Sequence, residues 1–250
     1  MSLSPFHFIV HDELPREGPG DVGSTLKAFS MVEGFLPKEP AILDIGCGPG
    51  MQTLELAKIS EGKITALDIN QKFLDVLNEN AKKSGQSPKI NTILGSMFEM
   101  NFPEKSFDLI WAEGVIFIIG FEKGLKEWKK FLKSKGLIAV THLSWLRDDA
   151  PDEPKKFWEK NCPEIASIKE NLKILEKQGY EVLSHFVLPE SAWWEDYYNP
   201  LERRLKKLRI EYKDNPEALT KFASVQAEID LYRKFPDYYG YVFYIARLKY

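Results

Sequence analysis

Glycines and aspartates in the first third of the chain have types and spacing that suit a ligand site. In the stretch ILDIGCGPGMQT (residues 42–53), an apolar run breaks into a glycine loop, and the loop opens a predicted helix. Asp44 lies in this stretch, and a second acidic residue, Asp68, ends the next apolar run, 18 residues after Gly50. Because glycine lets the backbone approach another molecule closely, the stretch predicts a binding site rather than a simple turn.

The glycine loop lacks the spacing of a phosphate site. A dinucleotide fingerprint requires G-x-G-x-x-G, but here the glycines are Gly46, Gly48 and Gly50, with Met51 at the sixth position. Pro49 also removes one backbone N–H that could bind an anion. The chain contains no G-x-x-x-x-G-K-[ST] either. A diphosphate ligand is therefore disfavoured.

The two aspartates favour a ligand that carries an ammonium group and a ribose. Asp44 lies near the end of a predicted buried strand, where a carboxylate needs a cationic or hydrogen-bond-donating partner. Asp68 stands at the distance expected of a carboxylate that binds a ribose diol. S-adenosylmethionine has both groups and no phosphate, so it is the predicted ligand.

A family resemblance supports this ligand. The motif D-I-G-C-G-P-G, followed by A-L-D-I, resembles the first two motifs of class I S-adenosylmethionine-dependent methyltransferases. The resemblance continues through residues 94–128, which look like the ubiquinone/menaquinone-biosynthesis-like group, whose usual substrates are small molecules. It covers residues 41–146 specifically and the rest of the chain only by strand order.

The resemblance implies a role for each matching position. Gly46–Gly48 would approach the methionine moiety of the cofactor, and S-adenosylhomocysteine would be the product. Asp68 would bind the ribose hydroxyls, with Ile69 against the adenine. Ser96 and Met97 would bracket the adenine ring. The implied cofactor-binding residues are Asp44, Gly46, Cys47, Gly48, Asp68, Ile69, Ser96, Met97, Glu113 and Gly114.

Two titratable side chains at predicted strand ends are candidate catalytic bases. His142 ends the fifth predicted strand, and Glu113 follows the fourth. Either side chain could remove a proton from a hydroxyl or amine acceptor. A packed, inert histidine is the alternative interpretation of His142. The scattered histidines and two cysteines predict no metal site.

Short apolar runs alternate with amphipathic stretches along the middle of the chain, which is typical of a parallel sheet covered by helices. The sequence predicts an α/β fold with a seven-stranded, mostly parallel, Rossmann-like methyltransferase sheet and helices on both faces. The predicted strands are residues 41–45, 64–69, 90–94, 107–111, 137–141, 181–188 and 240–247. The predicted helices between them are residues 51–60, 71–84 and 121–133.

One methyltransferase domain is predicted for residues 1–250. Residues 1–40 form an N-terminal cap segment with a helix, and residues 41–190 and 238–250 form the core sheet. Residues 191–237 form a helical insertion between the last two strands. Because so long a connection is usually functional, the insertion is predicted to be a lid over the substrate.

An aromatic cluster begins the predicted insertion. Its rings could line the substrate pocket and attract a sulfonium or a flat acceptor, and packing within the cap is the alternative. The predicted substrate-pocket residues are Trp193, Trp194, Tyr197 and Tyr198.

The net charge and the cysteine content limit the kinds of partner and compartment that we expect. The formal net charge of −3 and the pI of about 5.9 predict neither a nucleic-acid nor an anionic-membrane partner. The two cysteines suit the reducing cytoplasm, and no signal peptide or long apolar span is predicted. The expected partner is a small-molecule acceptor, and the oligomeric state stays open.

The predicted function is methyl transfer from S-adenosylmethionine to a small molecule by in-line displacement, with alignment as the main contribution of the protein. A nicotinamide-dependent reductase is disfavoured by the missing dinucleotide fingerprint and the absence of Tyr-x-x-x-Lys. A nucleic-acid methyltransferase is disfavoured because AEGVIF stands where [DNS]-P-P-[YF] is expected. A non-catalytic adenosylmethionine-binding or scaffold protein remains the alternative.

Overall fold

An eight-stranded sheet forms the centre of the computed structural model, which describes residues 5–249, with the side chains of residues 5 and 7 excepted. Residues 1–4 of the predicted cap segment and residue 250 lie outside the described residues. The strands are β1 (Ala41–Ile45), β2 (Lys63–Asp68), β3 (Ile90–Leu94), β4 (Phe107–Ala112), β5 (Leu132–Trp145), β6 (Ala166–Ser167), β7 (Tyr180–Val187) and β8 (Tyr239–Leu248).

The strand order is β3-β2-β1-β4-β5-β8-β7, with the short β6 paired to β5. Strands β1 to β5 pair in parallel, whereas β8 is antiparallel to both β5 and β7. All seven predicted strands are confirmed, and the two-residue β6 escaped prediction because it is too short to carry a periodicity. The strand order reverses between β1 and β4, and such a reversal opens a ligand crevice in α/β sheets.

Helices cover both faces of this sheet, as predicted. Their bounds are α1 (Pro5–His11), α2 (Val22–Ser30), α3 (Met51–Ile59), α4 (Gln71–Lys83), α5 (Ile116–Ile119), α6 (Phe121–Trp128), α7 (Asp152–Asn161), α8 (Ile168–Lys177), α9 (Ser191–Trp193), α10 (Asn199–Glu211) and α11 (Pro216–Lys234). A π-helical segment, Trp194–Tyr198, joins α9 to α10. None of the helices within residues 5–249 combines the length and apolar character needed to cross a bilayer.

Two large apolar clusters fill the interior. The first contains Trp111 and joins the sheet to α1, α2 and the helices of residues 191–234. The second contains Phe121 and Trp128 and joins the sheet to α5, α6 and α8. Strand β4 alternates between the clusters, since Trp111 belongs to the first and Ile110 to the second. Burial on both faces explains why the central strands read as continuous apolar runs.

Candidate functional site

The glycine loop joins β1 to α3 through three residues with left-handed backbones. Gly46, Gly48 and Gly50 have φ angles of 66°, 55° and 88°. A Cβ on Gly46 would lie 2.5 Å from Val115, and one on Gly50 would lie 2.3 Å from Leu77, so packing also requires glycine there. A Cβ on Gly48 would meet no described atom within 4 Å. The backbone of Gly48 therefore borders open space that a ligand can enter.

Asp68, at the end of β2, faces this loop. Its Oδ2 accepts a hydrogen bond from the Gly48 backbone N–H at 2.9 Å, and its Oδ1 accepts one from the Asn70 N–H at 2.9 Å. Burial raises the pKa of Asp68, and these N–H groups oppose the shift because they stabilise the carboxylate. Each oxygen has a further lone pair, so the carboxylate can also accept from a ribose diol.

An apolar surface lies beside Asp68, at the ends of β2 and β3. The side chain of Ile69 is 52% exposed, although it is large and apolar. Met97 is half-buried against the second apolar cluster, and Ser96 Oγ accepts the Phe98 N–H at 3.2 Å in a local turn. The backbone N–H of Gly95 donates to Asp68 O at 2.9 Å and holds the turn next to β2. An adenine contact of Ile69, Ser96 and Met97 stays a prediction.

Asp44 is buried at the end of β1 and binds the first turn of α3. Its Oδ2 accepts from Thr53 Oγ1 at 2.6 Å and from Gln52 Nε2 at 3.3 Å. Its Oδ1 is buried and has no hydrogen-bond partner among the described residues. Burial raises the pKa of Asp44 to about 7. Asp44 thus supports the loop and keeps one oxygen for a donor outside the chain.

Cys47 is a small buried residue of the loop. Its thiol lies 3.6 Å from Gly48 O, and burial raises its pKa well above the ordinary value. A thiol with a raised pKa is a poor nucleophile, because the thiolate is the reactive form. Its predicted place in the cofactor site is a backbone position.

Glu113 follows β4 and is saturated with donors. Its Oε2 accepts from Arg16 Nη2 at 2.6 Å, and its Oε1 accepts from Thr25 Oγ1 at 2.8 Å and from Trp111 Nε1 at 2.9 Å. The side chain is fully buried. Glu113 therefore anchors the N-terminal part of the chain to β4, and a role as a base would require this buried ion pair to break.

Residues 12–21, between α1 and α2, form a segment that we call the N-terminal strap. A Cβ on Gly18 would lie 4.0 Å from the Cα of Gly114, and the Gly20 N–H donates to Ala192 O in α9 at 3.0 Å. Gly114 has a φ of 69° and donates its N–H to Thr141 Oγ1 at 2.7 Å. The strap thus crosses the carboxyl end of β4 and meets the insertion.

Three residues of the candidate site, Arg16, Glu17 and Thr25, carry no signal in the sequence that predicts their role. Their partners lie far along the chain, with separations of 97 residues for Arg16 and 88 for Thr25. The only local signal is the glycine- and proline-rich stretch PREGPG, which indicates a loop and no more.

Glu17 of the strap lies close enough to Asp68 and to Cys47 of the loop for their charges to interact. Its Oε1 is buried without a hydrogen-bond partner among the described residues. Burial raises the pKa of Glu17 to about 9, and the charge of Asp68 adds to the shift. The strap therefore places a third carboxyl group near the crevice, beside those of Asp44 and Asp68.

His142 is fully buried in β5, in the second apolar cluster. Its ring stacks on Phe121 with centroids 4.6 Å apart and an interplanar angle of 12°. Burial lowers the pKa of His142 to about 4, against an opposing contribution from the Glu164 backbone. The imidazole is neutral at pH 7, and its ring nitrogens have no side-chain partner within residues 5–249. These features favour the packed-histidine interpretation, and a role as a base stays a prediction.

The aromatic cluster of the insertion packs mostly on itself and on β8. Trp193 and Tyr198 are fully buried, and Trp193 stacks on Tyr232 with centroids 4.0 Å apart. Trp194 is half-buried, and its Nε1 donates to Glu190 Oε1 at 3.1 Å. Most contacts of these three residues are therefore with neighbouring rings, although Trp193 also lines a surface cleft, and a role in a substrate pocket stays a prediction.

Tyr197 is the member of this aromatic cluster that contacts the end of α1, just before the strap. Its hydroxyl lies 3.4 Å from His11 Nε2, and its ring stacks on that of His11. Burial raises the pKa of Tyr197, and the charges of neighbouring groups, including Glu17, contribute.

Two surface clefts lie away from the glycine loop. One of about 250 Å³ includes Trp193, Tyr232 and Tyr239, and the other, of about 360 Å³, includes Met97 and Phe98. The first contains none of the ten predicted cofactor residues, so it is not the cofactor crevice. Across residues 5–249, no three His, Cys, Asp or Glu side chains are arranged to hold a metal ion.

Comparison with known proteins agrees with this geometry. Residues 43–140 match the family model described as a methyltransferase domain. The sterol 24-C-methyltransferase of Neurospora crassa is 26% identical over 220 residues, which are 82% of this chain and 55% of that protein. The chain therefore spans about half the length of this curated relative.

Solved structures share the whole fold. A methyltransferase from Thiobacillus denitrificans, crystallised with S-adenosylhomocysteine, superposes with a TM-score of 0.84 at 18% identity, over 98% of this chain and 99% of that one. The [4+2]-cyclase SpnF superposes with a TM-score of 0.72 at 20% identity, over 98% and 91%. Residues 43–140, which include the glycine loop and Asp68, are thus similar to a methyltransferase domain, and solved S-adenosylmethionine-dependent methyltransferases share the fold of the whole chain.

Proposed function

We propose that this chain transfers the methyl group of S-adenosylmethionine to a small-molecule acceptor. The proposal rests on the hydrogen-bonded contact between the glycine loop and Asp68. The Gly48 N–H donates to Asp68 Oδ2 at 2.9 Å, and the backbone of Gly48 borders open space. A carboxylate for the ribose diol and an open backbone for the methionine moiety thus stand side by side.

The residues around the loop fit the rest of the cofactor. The exposed apolar face of Ile69 suits a flat ring, and Met97 follows on the neighbouring strand end. The buried unpartnered oxygen of Asp44 suits an ammonium group, because a buried acceptor left without a donor is costly. The adenosine and amino-acid ends of the cofactor each have matching groups.

The bound cofactor would supply an electrophilic sulfonium methyl group, which would pass to an acceptor atom as the methyl–sulfur bond breaks and S-adenosylhomocysteine leaves. The protein binds and aligns the reactants and excludes water. The strap and the insertion serve the last task, because the Gly20–Ala192 hydrogen bond joins them over the end of β4. The His142 ring is fully buried and stacked on Phe121, and Glu113 is ion-paired, so we propose that alignment carries the reaction and that neither acts as an obligatory base.

The acceptor is proposed to be a small molecule for two reasons. The curated relative is a sterol 24-C-methyltransferase by name, and the net charge of −3 does not favour a nucleic acid. We further propose a cytoplasmic location, because Cys47 and Cys162 are both free and buried, which suits a reducing compartment.

Calorimetric titration tests the cofactor assignment. S-adenosylhomocysteine should bind, and NADH should give no heat. Asp68→Ala should weaken binding by about 1–3 kcal/mol, because charge-assisted hydrogen bonds to the ribose are lost. The matched control is Asp75→Ala, an exposed aspartate of α4 that should leave binding unchanged. Binding of NADH without binding of S-adenosylhomocysteine would overturn the proposal.

Methyl transfer itself needs a separate assay, because the fold also occurs in the cyclase SpnF. The chain should release S-adenosylhomocysteine when it is incubated with S-adenosylmethionine and pools of small molecules that include sterols. Tight cofactor binding with no release above the acceptor-free background in any pool would favour the non-catalytic alternative.

A further inference from the structure

Arg16 of the strap has a buried donor without a partner. The residue is 5% exposed, and its Nη1 makes no hydrogen bond with any residue in the described range 5–249. A guanidinium carries five N–H donors and stays protonated. A buried charged donor without an acceptor is costly, so its presence indicates an acceptor that the chain itself does not provide.

The guanidinium is held in one orientation. Its Nη2 donates to Glu113 Oε2 at 2.6 Å, and its Nε donates to Gly18 O at 3.4 Å. It also packs on Gly20, where a Cβ would lie 2.3 Å from Nη2. These contacts hold Nη2 and Nε, and Nη1 is the remaining nitrogen of the guanidinium, without a hydrogen-bond partner. We call the guanidinium held in this way the fork, and Nη1 its free arm.

The fork lies near the glycine loop. Its anchor, Glu113, follows β4, and Asp44 ends the neighbouring strand β1. The charge of Arg16 acts on Asp44, where it partly offsets the effect of burial on the pKa. Asp44 and Glu17 each have a buried oxygen without a hydrogen-bond partner, and the charges of both act on Cys47 of the loop. One cationic donor and two carboxyl acceptors therefore surround the loop, which is the complement of an amino acid with its ammonium and carboxylate groups.

We propose that Arg16 Nη1 binds the α-carboxylate of the methionine moiety of the cofactor, while Nη2 keeps its hydrogen bond to Glu113. The unpartnered oxygens of Asp44 and Glu17 accept hydrogen bonds from the adjacent ammonium group. This inference rests on the proposed function and deepens it. It makes the strap part of the cofactor site as well as its cover.

A pair of ligands that differ only in this carboxylate tests the inference. S-adenosylhomocysteine and decarboxylated S-adenosylhomocysteine are titrated into the wild-type chain and into Arg16→Lys. Lysine keeps the charge opposite Glu113 but lacks the second arm of the fork. The variant should lose about tenfold to a hundredfold in affinity for S-adenosylhomocysteine and less than about threefold for the decarboxylated ligand. The control Arg147→Lys, at an exposed ion pair, should leave both affinities unchanged.

Two outcomes would overturn the inference. Equal losses for both ligands would show that Arg16 only holds the strap, and no loss for either would show that Nη1 has no ligand. If Arg16→Lys does not fold, as judged by thermal unfolding, the double variant Arg16→Gln/Glu113→Gln removes both charges and is read by the same ligand pair. Failure of the proposed function is distinguishable, because the wild-type chain would then bind neither ligand.

Discussion

The two halves of the candidate site are built from different kinds of contact. One half, which we propose faces the adenosine, consists of the glycine loop and the ends of β2 and β3, where the Gly48–Asp68 hydrogen bond spans 20 residues of sequence. The other half is the cover, formed by the strap and the insertion. Its contacts span far more of the chain: 97 residues for Arg16–Glu113 and 186 residues for His11–Tyr197.

We call the first half, the glycine loop with the ends of β2 and β3, the platform. The platform and the cover depend on different kinds of interaction. The platform depends on backbone geometry that glycine alone adopts without strain, and on neighbouring strands of one sheet. The cover is held by the buried Arg16–Glu113 ion pair, the backbone hydrogen bond between Gly20 and Ala192, and the ion pair between Glu13 and Arg204. The platform is thus built from contacts that are short along the chain, whereas the cover is built from contacts that join distant parts of it.

Loss of the buried ion pair should have the largest effect. Glu113→Ala should lower the free energy of unfolding by about 3–5 kcal/mol, because it leaves the buried charge of Arg16 without its partner. Glu122→Ala is the control, since Glu122 pairs with Lys177 at 2.9 Å but is 45% exposed, and it should cost less than about 1 kcal/mol. Urea unfolding measures both. Similar costs would mean that the cover does not depend on this pair.

Glycine substitutions distinguish the parts of the platform. Gly50→Ala should cost about 2–5 kcal/mol of unfolding free energy, from left-handed strain and the clash with Leu77. Gly48→Ala should cost only about 1–2 kcal/mol, because its methyl group enters open space, yet it should weaken S-adenosylhomocysteine binding. Urea unfolding and calorimetry measure the two effects. Normal binding by Gly48→Ala would place the ligand elsewhere.

His142 belongs to neither half, and its predicted effect depends on pH. Its pKa is about 4 in the folded chain against 6.5 for the free side chain, so the unfolded chain binds more protons between these values. Stability from the neutral ring is therefore complete above about pH 6.5 and is lost as the pH falls towards 4, by up to about 3 kcal/mol.

Unfolding of His142→Leu by urea from pH 4 to 7 measures this contribution. The free energy of the variant should depend less on pH than that of the wild type by that amount. The exposed His185→Leu should keep the wild-type profile. Once an acceptor is found, the His142→Leu variant should also methylate it at a near-normal rate. A turnover rate about 10²–10⁴-fold lower, with unchanged cofactor affinity, would instead indicate that His142 is the base.

Hydrogen exchange should show the smallest effect and tests whether the cover responds to the cofactor. Backbone amides of the strap and of Trp194–Tyr198 should exchange about three to ten times more slowly with S-adenosylhomocysteine, a change of about 1 kcal/mol. The π-helical geometry of Trp194–Tyr198 is typical of functional positions in helices. Helix α8 is the internal reference and should not change. Equal exchange rates with and without ligand would mean that the insertion only packs against the core and does not respond to the cofactor.

Sequence alone determined the platform and the order of the elements. Left-handed glycines, the acidic strand ends and the alternation of apolar runs are local signals, because each depends on residues close along the chain. The seven main strands and the glycine loop were predictable for this reason. The two-residue β6 was not, because its pairing with β5 is its only distinguishing property.

Only the tertiary structure decided how the cover and the buried polar groups act. Glu113 looked like a candidate base, but its donors Arg16 and Thr25 come from the far N-terminal part of the chain. His142 ends a predicted strand, yet the stacking of Phe121 and full burial make it neutral. The free arm of Arg16 likewise has no local signature. Long-range packing sets the partners, the burial and hence the pKa of such groups, and no spacing in the sequence encodes these quantities.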